Sequence, residues 1–412
     1  MKSDRCENAQ TIRGGVDKKS FIFGIMAVLL CGMGFGIIAP VVPFLVKPYI
    51  TSPAEQARAV TLLTAIYALC VFLAAPGIGV LSDRYGRRPI LLISLLGSAA
   101  GYIIFGVGGA LWVLFLGRVI EGLTGGIIST LFAFFADITP KEERTKYFGW
   151  VSAAASVGVV IGPIVGGLLA NFGYSVPMFF GAALTLLNFI YGYFYMPETL
   201  NKDNRLPEFT LKKLNPFMQL FSVLSMKNLT MLFLASFLIW VPNGSMQAIL
   251  SQFSIDNFQL EPTIIGLMFS IIGVQDIISQ GFIMPQLLKR LSDKKIAILG
   301  MVFEVFGYAF IGAAAMFSRF PLFVIGMFLF AFGDSVFGPS FSGMISKSVA
   351  ANEQGRVQGG NQAISSFARV VGPVVGGHLY ITLGHSAPAF MGIILIIAAI
   401  IVLSCKVRIN ES

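Results

Sequence analysis

Arg118, Glu121, Asp276, Glu304, Asp334 and Arg369 are six ionisable side chains set near the middle of long apolar runs. A charge at the centre of a hydrocarbon layer costs at least about 2.5–3.5 kcal/mol on insertion scales, so each needs a partner or a task. Four acids against two bases leave carboxylates over. An acid taken out of water holds its proton more readily, so Glu121, Asp276, Glu304 and Asp334 are candidates to bind and release a proton in turn. Arg118 and Glu121 stand three residues apart on nearly one helical face and can pair. A structural salt bridge or an interhelical hydrogen bond is the competing account of any single acid. Trp240, Asn243 and Gln247, spaced i, i+3, i+7, put an indole and two amides on one face. With Arg369 they are candidates to line a cavity for a bulky small molecule, although ordinary packing explains the same spacing.

The elements that must carry these groups are membrane helices. Of the 412 residues, 56% are hydrophobic and 12% charged, and the mean hydropathy is +0.80, too apolar for an average soluble chain. Apolar runs long enough to cross roughly 30 Å of hydrocarbon recur along nearly the whole length. They predict twelve helical spans, at 21–45, 59–81, 89–109, 111–135, 147–170 and 176–196, then at 228–253, 263–286, 295–317, 320–343, 358–380 and 387–407. A membrane β-barrel would show alternating segments of about ten residues instead. An even count puts both termini on one side. With that side cytoplasmic, about 24 of the 29 Lys and Arg fall in cytoplasmic segments. The formal charge of +9 is then a topology signal in a cell-membrane protein, not a nucleic-acid footprint. The first apolar run is longer than a signal-peptide core and reads as a retained helix.

Cys6, Cys31, Cys70 and Cys405 are dispersed, and His378 and His385 stand apart, so neither a disulfide framework nor a metal site is expected. No cofactor loop or nucleophile constellation is present, and neither Gly-rich motif follows a strand as a phosphate-binding loop requires. The chain reads as no enzyme and as needing no cofactor.

The longest polar interruption, 197–227, divides the chain into two six-helix halves, 21–196 and 228–407, flanked by tails 1–20 and 408–412. Its basic residues, Lys202, Arg205, Lys212, Lys213 and Lys227, suit a cytoplasmic linker, and "FMQLFSVL" within it reads as a short interfacial helix or plain linker. A shift of about 210 residues sets Gly162-Pro163 on Gly372-Pro373 and Gly166-Gly167 on Gly376-Gly377. The same shift sets Glu143 on Glu353, Lys146 on Arg356 and Gly149 on Gly359. Parallel repeats of this kind are a known transporter architecture with the substrate site between the halves.

Two stretches need more than apolarity to explain them. In "GVVIGPIVGG", Gly158, Gly162 and Gly166 fall every fourth residue beside Pro163 and Gly167, a smooth face on which two backbones can approach closely. In "GVLSDRYGRRP", Asp83 sits among Arg84, Arg87 and Arg88, with Gly86 free to turn tightly and Pro89 suited to a helix start. A positive-inside anchor explains the arginines but not Asp83 and Gly86.

This second stretch, through Gly79, Asp83, Arg84, Gly86, Arg87 and Arg88, resembles motif A of the major facilitator superfamily. "LGRVIEGLTGG", through Arg118 and Gly122, resembles its motif B. "GVVIGPIVGG", through Gly158, Gly162, Pro163, Gly166 and Gly167, resembles its motif C, associated with export, and "GMGFGIIAPVVP" resembles its first-helix drug-exporter pattern. The amino-terminal half is similar to tetracycline exporters through "SDRYGRRP" and "FFADITPKEERTKYFGW". Where those exporters carry acids in the first and third helices, this chain aligns Cys31 and Gly101; their ninth-helix acid has a counterpart in Glu304. The carboxyl half carries no clean second motif A: "QLLKRLSDKK" keeps basic charge without the glycine pattern.

The resemblance implies an all-α major facilitator fold acting as a monomeric drug/proton antiporter, driven by the proton gradient. It implies export of drug-like amphiphiles by rocking of the halves, with Asp83 latching one state. Because the first, fourth, seventh and tenth helices line the cavity in that superfamily, it favours Glu121 and Asp334 over Glu304 as proton carriers. A tetracycline-specific exporter, an uptake symporter and a nontransporting receptor of the same fold are the alternatives.

Overall fold

The computed structural model describes residues 11–12, 16–140, 143–201, 203, 205, 215–218, 229–349 and 354–406. Much of the 1–20 tail, most of the 197–227 linker with Lys202, Lys212, Lys213 and Lys227, the "FMQLFSVL" stretch past Met218, Cys6, Glu353 and the 408–412 tail lie outside them. So do the side chains of Arg356 and Cys405.

Apart from a two-residue antiparallel pairing of Thr11–Ile12 with Val16–Asp17, the regular structure described is helical. The first six long helices are α1 (Lys18–Ile38), α2 (Pro53–Tyr85), α3 (Arg87–Val107), α4 (Leu111–Ile138), α5 (Arg144–Leu169) and α6 (Val176–Tyr195). The second six are α7 (Thr230–Phe258), α8 (Pro262–Leu288), α9 (Asp293–Phe317), α10 (Phe320–Lys347), α11 (Gln354–Leu383) and α12 (Ala387–Lys406). Eleven of them are long and apolar enough to cross a membrane. The twelfth, α11, has 30 residues and so runs about 45 Å, ample length, but it carries Asn361, Gln362 and Arg369 up to its middle. The chain is a multi-pass membrane protein.

Three of the spans expected as continuous helices are interrupted. The 21–45 run stops at Ile38, and a separate helix, Val42–Val46, restarts with Pro43 in its first turn, where a missing amide hydrogen costs least. The 111–135 run breaks at Gly126, whose bare backbone lets α4 close on α2: a Cβ there would lie 2.8 Å from the Ala75 Cα. The 263–286 run passes through a π turn at Ser279–Ile283 just before Pro285, whose ring cannot continue a regular ladder.

Packing follows a two-fold pattern. In the first half α1 lies against α5 and α6, α3 against α4 and α6, and α2 against α4. In the second, α7 lies against α11 and α12, α9 against α10 and α12, and α8 against α10. Each pair is the counterpart of another six helices on. Between the halves the main contacts are α2 with α11 and α5 with α8, which exchange under the same operation.

The glycines of both repeat copies are what lets these helices meet. A Cβ at Gly162 would lie 2.8 Å from the Met33 carbonyl oxygen of α1, and one at Gly158 or Gly166 would overlap the Leu29 or Ile37 carbonyl oxygen. In the second copy, a Cβ at Gly372 would stand 2.7 Å from the Ser245 amide nitrogen of α7, and one at Gly376 2.6 Å from the Ser245 Cβ. Gly167 and Gly377 instead face the opposite half, 2.6 Å from the Pro262 carbonyl oxygen of α8 and 2.5 Å from the Thr61 hydroxyl of α2 by the same measure. Gly158→Val is expected to cost about 1–3 kcal/mol of stability through overpacking and to lower the thermal unfolding midpoint in detergent. Gly149→Val, on the same helix where a Cβ meets nothing within 4 Å, is expected to leave it unchanged.

The seam between the halves is tight at one end only. Gly149 precedes Gly167 by 18 residues, Gly359 precedes Gly377 by 18, and Gly79 follows Thr61 by 18. That separation is five helical turns, so each pair shares one face. The Gly167, Gly377 and Thr61 ends are in close contact, whereas a Cβ at Gly149, Gly359 or Gly79 would meet nothing within 4 Å. The open ends belong to the side that carries the α2–α3 turn and its arginines, here called the basic end.

Candidate functional site

On the first-half wall of the opening, Arg118 Nη1 donates to Glu121 Oε2 at 2.6 Å, with both side chains buried. The guanidinium also lies over the Tyr67 ring of α2, 4.1 Å from its centroid. Three-residue spacing on one helix aligns the pair, and Gly122 lets the helix close on Tyr67 and Cys70. Arg118 shares a small pocket with Gln247 and Ser251 of α7, bringing the motif B arginine and a candidate cavity residue together across the halves. Gly101 has no room for an acidic side chain: its Cβ would lie 2.9 Å from the Glu121 amide nitrogen.

The second-half wall is less neutralised. Asn243 Nδ2 donates to Asp334 Oδ1 at 3.0 Å, and Tyr308 Oη donates to Asn243 Oδ1 at 3.1 Å, tying α7, α9 and α10. Asn243 is therefore buried inside the half instead of facing a cavity with Trp240 and Gln247. Glu304 lies one turn before Tyr308 and is fully buried, close to Asn243 and Asp334. It packs where Gly333 opens α10 to it, since a Cβ at Gly333 would stand 2.7 Å from the Glu304 Cγ. Asp276, next to the π turn of α8, accepts from Gln280 Nε2 at 2.8 Å. The Arg369 guanidinium lies 5.4 Å from the Trp240 ring centroid. Among the described residues none of Asp276, Glu304, Asp334 and Arg369 has an ion-pair partner within 4.0 Å. Tyr308 was not among the expected site residues; its place one turn from Glu304 is the signal that points to it.

At the basic end, Asp83 pairs with Arg87, whose Nε also donates to Asp137 Oδ2 at 3.1 Å and whose Nη1 donates to Ser82 Oγ at 3.0 Å. Gly86 turns the chain at φ 107°, a conformation open to glycine. Glu198, just past α6, accepts from the Arg87 and Arg88 amides at 2.8 and 3.3 Å, so a carboxylate caps the start of α3. Arg205 Nη2 approaches the same carboxylate at 3.8 Å. Arg84 stacks on Tyr85, 5.5 Å from its ring centroid. All of these ties lie within the first half or between it and the start of the linker.

The second half has its own tie in the same place. Lys347 Nζ donates to Asp293 Oδ2 at 2.6 Å, joining the end of α10 to the start of α9. The 210-residue shift sets Asp137 on Lys347 and Asp83 on Asp293, so the second half joins the counterparts of two first-half acids directly, with a base in place of Asp137 and Ala297 in place of Arg87.

Comparison with known proteins agrees with this architecture. The family model described as Major Facilitator Superfamily matches residues 24–274 and 229–410. The chain is 34% identical over 379 residues to a tetracycline resistance protein, class C, of Escherichia coli, covering 92% of this chain and 93% of that one. It is 27% identical over 399 residues to multidrug resistance protein 2 of Bacillus subtilis (strain 168), covering 96% and 97%. The crystal structure of the human organic anion transporter MFSD10 (TETRAN) shares the fold at TM-score 0.71 with 21% identity, over 93% of this chain and 99% of that one. A membrane-spanning chain of two matched six-helix units, covered by that family model over nearly all its length, belongs to the Major Facilitator Superfamily.

Proposed function

We propose that the protein exports drug-like amphiphilic molecules across the cytoplasmic membrane in exchange for protons, as a monomer with both termini and the basic end in the cytoplasm. The observation that carries this reading is the asymmetric seam: the interface helices touch at one end and part at the other, with unpaired acids on the wall between. Such a site is reached from one side at a time, and exchange of which end is tight is alternating access. Proton binding drives the exchange by favouring one state over the other, since a ligand shifts an equilibrium only through differential affinity. The resistance named for the two relatives supports the substrate class, and the resemblance of Gly158 to Gly167 to motif C supports export.

A panel of tetracycline, fluoroquinolones and lipophilic cations, tested for resistance in a pump-deficient host, checks the substrate class. Drug-induced proton release from everted vesicles checks the coupling; flux in the opposite sense would make the protein an uptake symporter. Tetracycline-only resistance would narrow the reading to the named activity of the class C relative.

In this reading Asp83 latches the state in which the basic end is closed. Its pairing with Arg87 is half-exposed here, 45% at the Asp83 side chain, and an exposed pair contributes about 0–1 kcal/mol. Asp83→Asn is therefore expected to leave insertion and thermal stability nearly unchanged while abolishing export. Normal resistance from that variant rules out the latch.

A further inference from the structure

Charge is distributed unequally over the two walls of the opening. On the first-half wall Arg118 is satisfied by Glu121 and by the Tyr67 face. On the second-half wall Asp334 and Asp276 are held, among the described residues, by the amides of Asn243 and Gln280. Arg369 offers an accessible guanidinium with no carboxylate within 4.0 Å among the described residues. Two residues before it on α11, Phe367 meets Phe72 of α2 with ring centroids 5.9 Å apart, so this stretch of α11 lies at the seam between the halves. One face of the guanidinium is directed at Trp240, which leaves its edge donors free. Those donors suit a planar anion bidentately. The Trp240 Nε1, buried without a hydrogen-bond partner among the described residues, is a further donor beside it.

Resting on the export reading above, we propose that this wall is the recognition site and that it selects zwitterionic amphiphiles: a carboxylate or acidic enolate on Arg369 beside the Trp240 ring, and an amine on Asp334 or Asp276. A plain lipophilic cation satisfies the acids but leaves the arginine unpaired and repels it. A plain anion pairs with the arginine but meets two unpaired acids. A zwitterion of suitable span answers both, and its apolar scaffold has the indole to lie on.

The sequence has three tryptophans, and Trp112 and Trp150 are exposed on the outer surface of the bundle, at 68% and 43%. Replacing both by Phe leaves Trp240 as the sole tryptophan reporter in the purified full-length protein. The probes are a fluoroquinolone zwitterion and its carboxyl methyl ester, which keeps the amine and loses the anion. We expect saturable quenching by the zwitterion and binding of the ester about tenfold weaker or worse, the size of one charge-assisted hydrogen bond. Arg369→Gln should erase that preference while leaving the ester's affinity in place, and Arg369→Lys should restore part of it, which a merely structural arginine would not do. Equal binding of the two probes, a preference that survives Arg369→Gln, or no saturable quenching by the zwitterion overturns the proposal. The export reading fails separately, by normal drug accumulation in cells expressing a protein that binds the zwitterion in vitro.

Discussion

Oxidising a Val160→Cys, Gly273→Cys variant is expected to stop transport, and reducing it is expected to restore transport. Val160 lies on α5 and Gly273 on α8, so the pair bridges the two halves where the seam is tight. A Cβ built at Gly273 stands 3.6 Å from the Val160 Cβ, inside the roughly 3.5–4.5 Å that a disulfide uses. The contact that would crowd a side chain at 273 is a Val160 methyl, 2.8 Å away, and the substitution at 160 removes it. Three residues along α8, Ser270 Oγ donates to the Val160 carbonyl oxygen at 2.7 Å, so the two helices are already held in this register. Replacing Cys6, Cys31, Cys70 and Cys405 by Ser leaves one cysteine pair. Because α5 and α8 flank the 197–227 linker, a protease site placed there separates the halves on a gel unless the bond has formed. If this end must part for substrate to leave, the linked protein exports nothing. Full export by quantitatively linked protein would mean that the α5–α8 contact does not open, and alternating access at this seam would be wrong.

What the sequence made legible were features that lie on one helix. The Arg118–Glu121 pair follows from a spacing of three, and the close approach at Gly158, Gly162 and Gly166 follows from a spacing of four; both are present. The two-half layout was readable because one shift aligned several residues at once. Features made by juxtaposition were not. Asp137 and Glu198 lie 50 and 111 residues from Arg87, and no periodicity announces that a helix end and a linker carboxylate meet one turn of chain. The tie between Asp293 and Lys347 was hidden for another reason, since a base at the counterpart of Asp137 and Ala297 at the counterpart of Arg87 erase the motif while an acid–base contact survives. Helix interruptions at Pro43, Gly126 and Pro285 were lost inside apolar runs, where hydropathy counts residues and is blind to the ladder that Pro and Gly break. The placing of Glu304 on a peripheral helix came from family geometry. Gly333 on the neighbouring helix brings it into the buried layer shared with Asn243 and Asp334, and only the fold could put those two helices in contact.

Glu304→Gln and Asp334→Asn are each expected to reduce gradient-driven export sharply, to a measurable residue, while the protein remains folded. A carboxylate buried away from water loses hydration that few protein contacts replace, and Glu304 is fully buried. Neutralising it with an isosteric amide is expected to leave the thermal midpoint nearly unchanged, because the amide keeps the shape of the side chain and removes the cost of burying a charge. Asp334→Asn keeps the size of the side chain and leaves Asn243 and Tyr308 in place, so its effect on stability is expected to be small as well. Loss of function with stability retained distinguishes a coupling role from a structural one. The assay is drug-induced proton release from everted vesicles, read beside downhill drug exchange without a gradient: coupling variants lose the first and keep the second. Unchanged proton release in the Asp334→Asn protein removes that acid from coupling, and the same result for Glu304→Gln removes the other. The double variant tests whether they act as a unit. Two independent carriers would each add their own loss, whereas residues serving one proton would make the double variant no worse than either single, a non-additivity that contact through Asn243 leads one to expect.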